Sequence, residues 1–153
     1  MEQRMDMSKV APEGFRAVLA LNKVVVANVD PTLFELVKLR ASMINGCAFC
    51  VDMHTTEALA HGEQVRRITA ITSWRESTYF TPAERAVFAL TDELTKLGEH
   101  GVSDATWVEV GEHFDPDAVA NLILAVAIIN VWNRIAMATR LAPAPLVTEV
   151  NAA

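Results

Sequence analysis

A chain of 153 residues has the length of one ordinary domain, and a domain of that size buries roughly two-thirds of its unfolded surface. With 52% hydrophobic and 21% charged residues, intrinsic disorder is excluded. A net charge of −6 argues against a nucleic-acid partner, because phosphate contacts need clustered Lys and Arg.

The nearest basic candidate, Arg66-Arg67, is a lone pair that reads as a solvated helix face. The longest uninterrupted apolar run, Leu122 to Ile129, is eight residues, against the ~20 needed to span a bilayer, so no membrane partner is expected. Met1–Val10 is polar and unlike a secretory signal. The expected location is therefore cytoplasmic, with both cysteines kept reduced rather than committed to a stabilising disulfide framework.

Taken along the chain, the pattern is helical throughout. Asp30-Pro31, Thr81-Pro82 and Asp115-Pro116 each place a capping side chain before a proline at the first helical position. Thr81 with Glu84 fits a capping box, and Gly46, Gly62 and Gly101 follow periodic stretches as helix stops. These marks predict about seven helices, near 12–28, 31–45, 47–61, 63–73, 82–98, 103–113 and 116–140. Leu33, Leu36, Val37, Met43 and Ile44 share one face of the second, and Arg40 falls inside that stripe, where it should meet a buried acid, a subunit interface or water by snorkelling.

Val24-Val25-Val26 is too short a β-like patch to outweigh its surroundings. The last helix is apolar nearly all round from Ala118 to Ile129, which predicts a central or interfacial helix and a homo-oligomer. The whole chain reads as a single domain over residues 1–153, with its core at about 15–141. The tail 142–153, carrying Pro143 and Pro145, should be extended or disordered.

The chemistry concentrates between Asn45 and His54. On a helix starting near Cys47, positions 47, 50 and 54 fall within about 60° of one another at ~100° per residue, so two thiols and an imidazole share a stripe. A spacing of three lets the sulfurs reach bonding distance. The helix N-terminus favours a thiolate, most directly at Cys47, and His54 can hold its proton. Any one of these residues alone reads as a packed core residue. Together they suit a redox dithiol, with an attacking sulfur, a resolving sulfur and a proton shuttle.

A zinc site is the rival use of the same residues, with His61 as fourth ligand. It lies about two turns from His54, and no second close-spaced cysteine pair supports it. A thioredoxin fold needs a strand before its Cys-x-x-Cys, and helices flank this one. Trp74, Trp107 and Trp132 are scattered and read as core or interface residues. His100 and His113 sit near helix ends, and Glu35 at the edge of an apolar stripe suits a partly buried carboxylate.

Glu35 stands twelve residues before Cys47-Ala48-Phe49-Cys50-Val51-Asp52-Met53-His54. That arrangement resembles the AhpD-like alkylhydroperoxidase family, within the carboxymuconolactone decarboxylase superfamily. Ser73-Trp74-Arg75-Glu76, the stretch from Phe80 to Ala86 and Asn133-Arg134-Ile135 extend the likeness over about residues 15–141.

The resemblance implies an all-α, AhpD-like fold in dimers, trimers or hexamers. It implies a thiol-dependent peroxidase acting on a hydroperoxide, with a dithiol or protein reductant and no cofactor or metal. In that scheme Cys50 attacks the peroxide and passes through a sulfenic acid, and Cys47 donates a proton and closes the Cys47–Cys50 disulfide. Glu35 and His54 form the proton relay. The helix dipole favours Cys47 as the more acidic thiol; the nearness of His54 favours Cys50. Phe49 stands where some peroxidase members carry a second His. The competing readings are a non-catalytic helical oligomer with a metal-bound or incidental dithiol, and a decarboxylase-like enzyme. Decarboxylase members generally lack the cysteine pair.

Overall fold

One capping device starts three of the expected helices. In the computed structural model, which describes residues 2–145, the side chains of Asp30, Thr81 and Asp115 accept from the backbone N–H of Leu33, Glu84 and Ala118, with Pro behind each cap. Glu84 returns the bond to the Thr81 amide at 2.8 Å, completing the capping box. The described residues form α1 (Met7–Val10), α2 (Pro12–Asn28), α3 (Pro31–Asn45), α4 (Ala48–Ala60), α5 (Val65–Ala70), a 3-10 turn (Ile71–Ser73), α6 (Pro82–Thr95), α7 (Asp104–His113) and α8 (Pro116–Thr139). The all-α expectation holds, and Val24-Val25-Val26 is helical.

The differences lie at the margins. Helix α1 is additional: a single Asp6-capped turn with no buried residue leaves no apolar period to read. Helix α6 stops at Thr95 rather than 98, because Lys96 leaves the helical region at φ −120° and ψ 74°. Gly101, with φ 66°, shapes a turn in which its N–H bonds the Gly98 carbonyl at 3.3 Å, so it caps no helix. Residues 141–145 carry no regular structure, and the rest of the expected tail lies outside the described residues.

Helix α8 packs against α2, α3, α4, α6 and α7 and is the central helix. Its length and composition would suffice to cross a bilayer, but Val119, Leu122, Val126, Ile128 and Ile129 are buried among the other helices. Ile128, on a side of α8 away from Val119, Leu122 and Val126, is also 1% exposed within one chain. Surrounding helices thus cover more of α8 than the pattern suggests, although Leu124, Val131 and Met137 stay exposed.

Two polar devices fix the frame. Arg40 does meet a buried acid: its Nε donates to Asp92 at 2.5 Å, while Arg75 and Trp74 donate to the other carboxylate oxygen at 2.8 and 3.2 Å. Arg67 corrects the solvated-face expectation. It is half-buried over Phe80 and pairs with Glu84 at 2.6 Å and Glu63 at 2.9 Å. Of the pair, Arg66 alone is exposed, against Tyr79.

Candidate active site

The site begins at the corner between α3 and α4. Gly46 takes φ 72°, a left-handed conformation that glycine adopts without steric cost. The next amide, of Cys47, returns to the Ser42 carbonyl at 3.0 Å. Asn45 ties this corner to α8, donating to the side-chain oxygens of Asn130 at 2.9 Å and Asn133 at 2.8 Å. Asn133, fully buried, in turn donates to Ser42 Oγ at 3.0 Å. No fully buried side-chain polar atom in that cluster lacks a partner, as buried polar groups require.

Cys47 is the N-cap of α4, its sulfur accepting from the Cys50 N–H at 3.4 Å. The two cysteines are joined as a disulfide with their Cα atoms 5.3 Å apart, and both are buried against Ala136 of α8. Their environments differ. Cys50 lines a cavity of about 730 Å³ between α2, α3, α4 and α8, together with His54, Glu35, Phe49 and Trp132; Cys47 does not.

His54, one turn beyond Cys50, is 5% exposed. Its Nδ1 lies 2.8 Å from Glu57 Oε2 and 4.0 Å from Glu35 Oε2. A carboxylate only accepts, so Nδ1 carries the proton and Nε2 is the basic nitrogen. Burial, then the charge of Lys38, pushes the imidazole below its ordinary range, against the Glu57 and Glu35 carboxylates that raise it. His54 is therefore neutral near pH 7. Burial would raise Glu57, but the His54 hydrogen bond and the Lys38 charge hold it below the usual carboxylate range.

Lys38 bridges the acids, 2.8 Å from Glu35 Oε1 and 3.4 Å from Glu57 Oε2. Glu35 Oε2 is buried without a hydrogen-bond partner. Of the expected site residues, the structure gathers Cys50, His54 and Glu35 at the cavity and keeps Cys47 behind Cys50. It does not assemble the zinc set. The cysteines are bonded to each other, and His61 Nδ1 lies 3.9 Å from Glu35 Oε1. The donors that do converge are Glu35, His54 and Glu57, all within 4.8 Å. There the Lys38 ammonium already supplies the cation that two carboxylates call for, so the cluster fits a proton relay better than a metal.

Sequence reading missed Glu57 and Lys38. Each stands three residues after a residue already singled out, His54 and Glu35, and that helical spacing could have found them. The cavity walls had no such signal, because Asn22 and Trp132, bonded at 3.2 Å, are 110 positions apart. Trp132 packs against the main core, as expected, and also walls the cavity. Trp74 is buried as expected, and Trp107 is 54% exposed on this chain.

The carboxymuconolactone decarboxylase family model matches residues 12–93. The chain belongs to this family. YdfG of Bacillus subtilis, itself uncharacterized, is 37% identical over 139 residues, spanning 90% of this chain and 95% of that one. A solved Agrobacterium tumefaciens structure of unknown function, provisionally assigned to antioxidant defence as an AhpD, superposes with TM-score 0.91 at 38% identity. It covers 95% of this chain and all of its own. The alkyl hydroperoxide reductase AhpD of Maricaulis maris is 39% identical over 54 residues, 35% of this chain and 31% of that one. The fold of this family member is thus AhpD-like.

Proposed function

We propose that this chain is a thiol-dependent peroxidase of the alkylhydroperoxidase type. The observation that carries the reading is the asymmetry of the dithiol: Cys50 opens on the cavity beside a neutral, carboxylate-anchored His54, and Cys47 does not. In the reduced protein, His54 Nε2 takes the Cys50 proton. The thiolate attacks the terminal oxygen of R–O–O–H, an S–O bond forms, the O–O bond breaks, and the alkoxide leaves as an alcohol with the proton from His54.

The Cys47 thiol then displaces hydroxide from the Cys50 sulfenic acid. The S–S bond forms, the S–O bond breaks, and hydroxide departs as water with the Cys47 proton. An external dithiol, small or protein-borne, returns both cysteines to thiols and is itself oxidised to a disulfide. Glu57 anchors His54 directly, and Glu35, held by Lys38, is the second carboxylate of the relay. A reductant consumed at each turnover is in keeping with a reducing compartment such as the cytoplasm.

The helix dipole draws acidity toward Cys47, which suits a resolving thiol that must ionise to attack. Access to the cavity supports Cys50 as the first attacker. A coupled assay with an organic hydroperoxide and a dithiol reductant is the test: turnover is expected from the wild type and not from Cys50→Ser. Wild-type rates in both Cys47→Ser and Cys50→Ser overturn the reading.

A further inference from the structure

Resting on the peroxidase reading, we infer that Asn45 is a positioning residue for the resolving thiol: clamped between Asn130 and Asn133 of α8, it holds Cys47 within reach of Cys50 while the disulfide is open. The need for a clamp comes from the chain beside Cys47. Cys50 lies inside α4 and is held by the helix, whereas Cys47 is the N-cap, with φ −82° and ψ 93°. Gly46, next to it, is exposed and takes φ 72°, and a glycine crosses between left- and right-handed conformations with little penalty. Once the S–S bond is reduced, that peptide is a hinge on which the Cys47 sulfur can swing away.

The hydrogen bonds of α8 fix the clamp in one sense. Asn130 Nδ2 donates to the Val126 carbonyl at 2.9 Å and to Thr95 Oγ1 at 3.1 Å, and its Oδ1 accepts from Arg134 at 2.8 Å. The Asn130 amide cannot flip without losing all three. Its oxygen therefore faces Asn45, which must present Nδ2. That one nitrogen donates to Asn130 at 2.9 Å and to Asn133 at 2.8 Å, and Asn133 Nδ2 donates onward to Ser42 Oγ at 3.0 Å. Ser42 is also the residue whose carbonyl receives the Cys47 N–H, at 3.0 Å. Two anchors thus flank Gly46, one on each side, and neither uses a sulfur.

None of Ser42, Asn45, Asn130 and Asn133 lines the cavity, so the clamp touches no substrate and acts through Cys47. Resolution forms the S–S bond as hydroxide leaves the Cys50 sulfenic acid and departs as water with the Cys47 proton. The step is intramolecular, and its rate follows how well the two sulfurs are placed.

The test separates the two chemical steps in a single turnover of reduced protein with tert-butyl hydroperoxide. Asn45→Ala should form the Cys50 sulfenic acid at the wild-type second-order rate and slow first-order disulfide closure about tenfold, since a misplacement of about 1 Å costs up to about a hundredfold. Dimedone should capture correspondingly more sulfenic acid. Ser42→Ala removes the other anchor with little change in volume. It should act in the same direction, and it decides the matter if Asn45→Ala does not fold. Thr91→Val takes a fully buried hydroxyl from α6 and is the control for lost stability; it should leave both steps unchanged.

Unchanged closure in folded Asn45→Ala, equal slowing of both steps, or slowed closure in Thr91→Val overturns the inference and leaves the peroxidase reading standing. If the wild type forms no sulfenic acid, the peroxidase reading falls, and equilibrium with glutathione judges the clamp alone. There the two protein thiols form their S–S bond as one glutathione disulfide is reduced to two thiols. An equilibrium constant about tenfold lower in Asn45→Ala than in the wild type sustains the inference. An equal one overturns it.

Discussion

His54 is hydrogen-bonded to Glu57 at 2.8 Å and stands 4.0 Å from Glu35, so the nearer carboxylate is the one that the signature spacing does not contain. Glu57→Gln keeps an acceptor for the Nδ1 proton and removes the charge; Glu57→Leu removes both. The expected loss in kcat is about tenfold for the first and about a hundredfold for the second, within the range of general acid–base contributions. KM should stay near its wild-type value. Because the Glu57 charge raises the His54 pKa, Glu57→Gln should also move the acidic limb of the pH–rate profile to lower pH. A purely structural role for Glu57 would leave that limb in place.

Burial makes His54 a source of acid sensitivity in the fold. Its folded pKa lies below the ordinary 6.5, so as pH falls through that value the unfolded chain takes up a proton that the native imidazole refuses. Stability therefore declines on acidification, starting near pH 6.5. The carboxylates of Glu84 and Asp92 are held below their ordinary values of 4.5 and 3.8 by arginine partners that outweigh burial. Their contribution is present above those values and is lost as pH falls further. Urea midpoints measured from pH 7.5 to 3.5 should show two descending stages, and His54→Gln should erase the first. A midpoint that rises between pH 7 and 5.5 contradicts this account.

Asp92 takes three donors, from Arg40, Trp74 and Arg75, and the side chains of Arg40 and Asp92 are 14% and 15% exposed. Removing the acid leaves a largely buried guanidinium without its counter-charge. Asp92→Asn should cost about 3 kcal/mol of unfolding free energy, read by chemical denaturation. A loss under about 0.5 kcal/mol, the ordinary scale of a surface change, would show that Arg40 reaches water instead.

The order of attack can be trapped directly. Cys47→Ser exposed to one equivalent of hydroperoxide should accumulate a sulfenic acid on Cys50, captured by dimedone and located by mass spectrometry. Cys50→Ser should trap little or none, because Cys47 does not line the cavity. Faster labelling of Cys47 would hand the attack to the helix dipole.

Much of this was legible in the chain because it is local. Asp30-Pro31, Thr81-Pro82 and Asp115-Pro116 each set a helix start by contacts within three residues. Cys50 and His54 lie one turn apart on α4 whatever surrounds them, whereas Cys47, as the N-cap, stands before the helix and off the cavity. Arg40 was legible as a charge on an apolar face, although its partner lies 52 positions away. The cavity was not legible, because the pairing of Asn22 with Trp132 depends on how α2 crosses α8, which no local pattern encodes. Glu57 was overlooked for a different reason: a Glu on a helix reads as solvated until packing shows which way His54 turns. Helix α8 was legible as central or interfacial and is central, but apolar residues all round it demand cover without saying whether one chain or two provides it.

Assembly is the remaining expectation, and the structure moves its basis from α8 alone to α8 with α2. These helices pack together and leave Leu19, Val24 and Val26 of the one and Leu124, Val131 and Met137 of the other 36–56% exposed. Each large apolar side chain withdrawn from water contributes roughly 1.5–3 kcal/mol when fully buried, so a second copy covering part of this set has a driving force that an isolated chain forgoes. We expect a homo-oligomer of at least two chains by light scattering at micromolar concentration, with a mass that does not change on dilution. Val24→Glu tests the surface itself. Val24 is 50% exposed, so the charge is tolerated in the folded chain but disfavoured at an apolar interface. The variant should keep its circular dichroism and lose mass toward one chain. A wild-type mass of one chain overturns the expectation, and an oligomer indifferent to Val24→Glu places the interface on another face.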